Sequence, residues 1–181
     1  MKSLIFLCVL LFSFTQLSAQ KKSVNPVDSL PDTAKIAGNN RSPIKSLSFA
    51  EYQAYQTGAD MGMAKPAELN NYPAPKNVLS FEKDLKLSST QKSQLKAAVE
   101  ALDFKAREMG RFILQHEKQL NDLFATGKVN EGSLIYYCNQ IGLYQGELRN
   151  AHLQAHLKVK RILTPDQLKK YSRLKADTNK G

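Results

Sequence analysis

The sequence predicts an all-α protein, a long antiparallel helical hairpin with short flanking helices. Three observations predict it. From Ser89 to Phe124 the residues Leu95, Val99, Leu102, Ala106, Met109, Ile113, His116, Leu120 and Leu123 step by four and three without a break, the seam of a helix packed along its length. From about Glu131 to Leu163 a second series keeps the same step: Leu134, Cys138, Ile141, Gln145, Leu148, His152, Ala155, Val159 and Ile162. Gly127 and Asn130 supply a turn between the two, so the arms pack antiparallel over about 45 Å at about 1.5 Å per residue. The third observation is a capped corner at the outer end of each arm. No strand pattern accompanies these features, and no GxGxxG, P-loop, HExxH or GxSxG motif is present.

The first 19 residues carry Lys2, an apolar run from Leu4 to Phe14, and Leu17-Ser18-Ala19 before Gln20. That is the layout of a secretory signal peptide, and the run is too short for a membrane span. Cys8 follows Leu7, where a lipid-anchoring cleavage site needs a small residue, so export of a soluble protein to the periplasm is expected. The chain is basic, with a formal net charge of +10. Such a surface attracts nucleic acid, anionic membrane or acidic polypeptide. Export argues against nucleic acid. No helix joins a lysine-rich side to an uninterrupted apolar one, which argues against stable membrane insertion. After cleavage Cys138 is the only cysteine, so no internal disulfide forms. Its neighbours Leu134, Ile135, Tyr136, Tyr137 and Ile141 place it as a buried structural thiol, with an intermolecular disulfide or metal ligation as the other readings.

Residues 20–47 are polar and aperiodic, with Pro26, Pro31, Gly38 and Pro43, and read as a disordered linker. Residues 48–76 form an N-terminal extension. Ser48 and Glu51 make a capping box for a short helix bearing Phe49, Tyr52 and Tyr55, and Gly58 closes it. Beyond it Gly58, Gly62, Pro66, Pro73 and Pro75 break regular structure, while Met61, Met63, Leu69 and Tyr72 can pack on a neighbour. Met61 and Met63 are too few for a copper(I) site and read as packing. The helical domain proper spans residues 77–176. Asn77 caps a helix through Leu85, with Val78, Phe81 and Leu85 inward. The last helix runs from Pro165 to about Lys175, and residues 177–181 fray.

The corners are the most informative stretch. Leu163-Thr164-Pro165-Asp166-Gln167 places a hydroxyl N-cap three residues before a glutamine, with proline at the first helical position, and Leu163 and Leu168 form a hydrophobic staple. Leu87-Ser88-Ser89-Thr90-Gln91 repeats the cap and the glutamine without the staple, since position 92 is lysine. Two copies of L-[ST]-x-x-Q about one hairpin apart resemble the LTxxQ motif of the Spy/CpxP-like periplasmic proteins. The resemblance covers roughly residues 77–176, and AHLQAHLKVKRILTPDQLKKY is its closest part. MGMA-x-x-AELN-x-YP-x-P, from Met61, is also similar to a segment of some exported LTxxQ-type proteins. The resemblance implies a homodimer of bent hairpins that holds unfolded proteins without ATP on a basic, partly apolar face, within an envelope stress response. Lys92, Lys96, Lys105, Arg107, Arg111, Lys158 and Lys160 would supply the charge. Phe104, Phe112, Tyr144, Leu153 and Leu157 would supply apolar contact. A solvated charged face and aromatics covering a third helix or a dimer contact explain the same residues structurally.

His152 and His156 are four apart and share a helix face, a spacing that holds one transition metal. Pairing the arms about residue 128 sets them opposite Lys105 and Ala101, so Glu100 or Asp103 could add an oxygen ligand. Zinc, nickel or copper would suit such a set. Periplasmic heavy-metal sensor and resistance proteins, LTxxQ relatives, place a similar pair near this point, and the resemblance implies metal binding or sensing, with a signalling partner, as the alternative function. The competing structural reading has His152 filling the seam and His156 solvated. No cofactor is required by the client-binding reading, and no enzymatic constellation is visible.

Overall fold

The computed structural model describes residues 41–178, which form six helices and no strand among the described residues. They are α1 (Phe49–Thr57), α2 (Lys65–Leu69), α3 (Pro75–Ser80), α4 (Ser89–Ala125), α5 (Glu131–Ile162) and α6 (Pro165–Thr178). The signal-peptide stretch, most of the expected linker and residues 179–181 lie outside the described residues. The long α4–α5 antiparallel pair is the frame on which the flanking helices pack. Gly127, at φ 65, turns the chain, and Asn130 caps α5 by accepting from the Ser133 amide at 2.9 Å.

Two apolar clusters hold the flanking pieces to the pair. One joins Ile44, Tyr52 and Tyr55 to Ala106, Met109, Ile113 and Leu114 of α4 and Leu148 of α5. The other, at the end of the hairpin remote from its turn, joins Val78, Leu85 and Leu87 to Leu95, Val159, Leu163 and Tyr171. Two close approaches make the first cluster possible. A Cβ on Gly110 would sit 1.8 Å from the Tyr55 carbonyl oxygen, and Gly58, at φ 69, faces Ala106. Small residues on α4 thus let the backbone of α1 touch it.

Several expectations are corrected. Residues 41–47, expected as part of the linker, are anchored: Ile44 is 2 % exposed and its carbonyl accepts from the Leu47 amide. One buried isoleucine in a polar context anchors this stretch. The helix expected to follow an Asn77 cap through Leu85 is α3 instead, begun three residues earlier because Pro75 occupies the first turn, where its missing N–H costs nothing. It stops at Ser80, and turns lead to Lys86 at φ 48. α6 continues to Thr178, past the expected end. The seam also opens toward the turn. Leu134 is 40 % exposed and Cys138 is exposed rather than buried, since no flanking helix reaches that far along α5.

Candidate functional site

The capping boxes predicted at the two corners form. Ser88 accepts from the Gln91 amide at 3.1 Å while Gln91 Oε1 accepts from the Ser88 amide at 3.1 Å. Thr164 and Gln167 make the same exchange at 3.3 and 3.0 Å. The structure adds what a local motif cannot show, because the two glutamine side chains face each other. Gln91 Nε2 donates to Gln167 Oε1 at 2.8 Å, and Gln167 Nε2 donates to Gln91 Oε1 at 3.1 Å. Each amide also donates to a distant carbonyl, Gln91 to Ile162 and Gln167 to Leu85. Leu87 and Leu163 are buried beside them in the same cluster. The two motifs form one clasp that fastens the start of α4 to the corner between α5 and α6.

The histidine pair is buried, with His152 6 % and His156 4 % exposed. Neither faces Glu100 and Asp103 as a ligand set. His156 Nδ1 lies 2.7 Å from the Tyr72 carbonyl oxygen, so as the N–H tautomer it donates to the segment between α2 and α3. His152 Nδ1 is 3.5 Å from Asp60, and its Nε2 is buried with no hydrogen-bond partner. Lys160 adds a cation over the Tyr72 ring at 3.6 Å from its centroid. Asp103 is committed to Lys76 at 2.8 Å, and Glu100 is exposed. Among the described residues no three histidine, cysteine, aspartate or glutamate side chains gather to hold a metal ion. The pair instead fastens residues 58–74 across α5, and His156 is not solvated. Burial pushes the His152 pKa below its ordinary value, the Asp60 carboxylate opposes that shift, and His156 adds to it.

His116, also on the seam, is buried with Nδ1 2.7 Å from the Phe112 carbonyl oxygen, among the rings of Tyr136, Tyr137 and Tyr144. Phe112 and Tyr144 stack at 4.8 Å and pack on the first cluster, and Arg111 lies over Phe112. These two aromatics therefore serve packing as much as surface.

The residues expected to share one client-binding face are divided among three. Lys105 and Lys158 border a trough of about 440 Å³ between α4 and α5, with Arg161, Gln154, Leu102, Ala98, Ala101, Ala151 and Ala155. Phe104, 70 % exposed, lies on an outer ridge of α4 with Arg107, Glu108 and Arg111. Leu153, Leu157 and Lys160 line a cleft of about 640 Å³ with Pro66, Ala67, Asn70 and Tyr72. Lys96 is exposed and Lys92 half-buried near the start of α4. Sequence reasoning missed three apolar residues nearer the turn, Phe124, Ile135 and Leu143, all more than half exposed. Their off-seam positions were the available signal.

Comparison with protein-family models, curated proteins and solved structures returns no match for this chain. Among the described residues no helix is long and apolar enough to cross a membrane.

Proposed function

We propose that this chain is an exported, ATP-independent client-binding protein of the Spy/CpxP kind, acting in an envelope stress response. The observation that carries the reading is the amount of apolar surface left open on a basic helical pair. Phe104, Phe124, Ile135, Tyr136 and Leu143 are each more than half exposed. Scattered apolar residues are ordinary on a protein surface, but Phe104 stands beside Arg107 and Arg111, and open apolar side chains on a chain of net positive charge suit loose capture of unfolded chains. The paired L-[ST]-x-x-Q corners support the same reading through their likeness to the LTxxQ motif.

The test is light scattering from an aggregating client in the presence of residues 20–181, without ATP, with chelator or with added zinc, nickel or copper. Suppression at stoichiometric protein, equal with and without metal, is the expected result. No suppression at several-fold excess overturns the reading, and suppression only with metal would restore the histidine pair to a ligand role.

A further inference from the structure

The trough between α4 and α5 is the feature that packing does not use. Four alanines, Ala98, Ala101, Ala151 and Ala155, line it with Leu102, Gln154 and the cations Lys105, Lys158 and Arg161, and no acid does. Lys105 shares its charge with Glu108 at 3.2 Å, but among the described residues Lys158 and Arg161 have no acidic partner within salt-bridge distance. It lies about 120° round α4 from Ala106 and Gly110, the residues against which α1 rests.

The molecule already shows how this hairpin accepts a third helix. On the α1 side, small residues of α4 admit the neighbour's backbone, and Tyr55 reaches across to accept from Gln145 of α5 at 3.1 Å. The trough repeats the arrangement with alanines on both long helices, and leaves it empty among the described residues. An alanine-rich lining offers few hydrogen-bonding side chains. An extended peptide lying on it would bury backbone groups without partners, whereas a helix satisfies its own. The unpaired cations then select the charge.

We propose that the trough docks an acidic amphipathic helix of a partner protein, its small apolar face on the alanines and its carboxylates toward Lys158 and Arg161. A second copy of this chain does not fit. α4, α5 and α6 each carry more cations than acids, as do residues 1–40, and α1 is already docked through buried Tyr52 and Tyr55. The inference rests on the client-binding reading, of which it names one class of client.

The experiment is fluorescence anisotropy with residues 20–181 and a labelled peptide of about 18 residues, long enough to span the trough at about 1.5 Å per residue. The peptide bears glutamates on one helical face and alanine and leucine on the other. A scrambled peptide of the same composition is the comparison. Saturable binding is expected, with a gain of helical circular dichroism and a loss at high salt. Lys158→Glu with Arg161→Glu should weaken it at least about tenfold. Ala101→Phe, which fills the trough and keeps every charge, should weaken it by a similar factor. Equal binding of the scrambled peptide, indifference to Ala101→Phe, or no binding overturns the proposal. Binding of an anionic vesicle but not of the peptide overturns it too. Melting curves of both variants are the check that each is folded. Aggregation suppression that survives in Ala101→Phe, with peptide binding absent from the unaltered protein, would sink this inference and leave client capture standing. Peptide binding without suppression would do the reverse.

Discussion

Gly110→Ala sets two effects of known size against each other. In an exposed helix interior, replacing glycine by alanine stabilises by about 1 kcal/mol, through the backbone freedom that glycine loses on folding. At position 110 the new methyl carbon would stand 1.8 Å from the Tyr55 carbonyl oxygen, 2.7 Å from its carbonyl carbon and 3.2 Å from its Cα. The obstacle is backbone, so no rotamer change relieves it. α1 must retreat, and with it Tyr52, which is fully buried, and Tyr55, which is 8 % exposed. Forced overpacking costs about 1–3 kcal/mol, and partial loss of two buried aromatics adds about as much again. The net expectation is a destabilisation of about 1–5 kcal/mol, read from urea denaturation followed by circular dichroism. Gly142→Ala is the internal control, because nothing lies within 4 Å of its added carbon. It should stabilise by about 0.5–1 kcal/mol. If the two variants shift the midpoint in the same direction and by the same amount, the contact between α1 and α4 is not what the structure describes.

Gln91→Ala and Gln167→Ala should each cost about 1–3 kcal/mol by leaving part-buried amide partners unsatisfied, and the double variant should cost less than their sum by about 0.5–3 kcal/mol; simple additivity in denaturant melts would refute the clasp. Ile113→Ala, at a fully buried position, should cost about 2–5 kcal/mol, and Leu102→Ala less, because Leu102 is only half-buried at the edge of the trough; equal melting shifts would contradict that ranking. The lowered folded pKa of His152 means that the unfolded chain binds its proton more readily. Its contribution to stability is therefore present above its ordinary value of 6.5 and is lost as pH falls below that, down through the folded pKa. His152→Gln should flatten the stability profile below that value, and an unchanged slope would assign the acid sensitivity elsewhere.

What the sequence made legible was what repeats or what is local. The four-and-three step gave both long helices because a buried seam imposes that period on every turn. The caps at Ser48, Ser88 and Thr164 were readable because acceptor and donor lie three residues apart. The rest depends on partners distant in the chain. His156 meets a backbone carbonyl 84 residues away, and no side-chain pattern encodes a carbonyl. That contact gives His156 a fastening role for residues 58–74 that neither the metal reading nor the solvated one contained. Nothing local marks Gly110 either, since its reason is α1 lying across it. Cys138 sits on the seam by period, but the period does not say where the flanking cover ends. The client-face residues were grouped by charge and apolarity alone, and the helical phase of each distributes them around the pair.

The glutamine clasp also has a consequence for observing the molecule in solution. Each of the two side-chain amides donates twice and accepts twice, so their four N–H protons all sit in hydrogen bonds within the protein. Side-chain amide protons of solvent-exposed glutamines are replaced quickly by solvent deuterium. Here they should give two shifted, slowly exchanging pairs of resonances in a nitrogen–proton correlation spectrum. Those signals report on one end of the hairpin alone. Their persistence while backbone amides near Gly127 exchange would separate loosening of the turn from separation of the arms within a single sample.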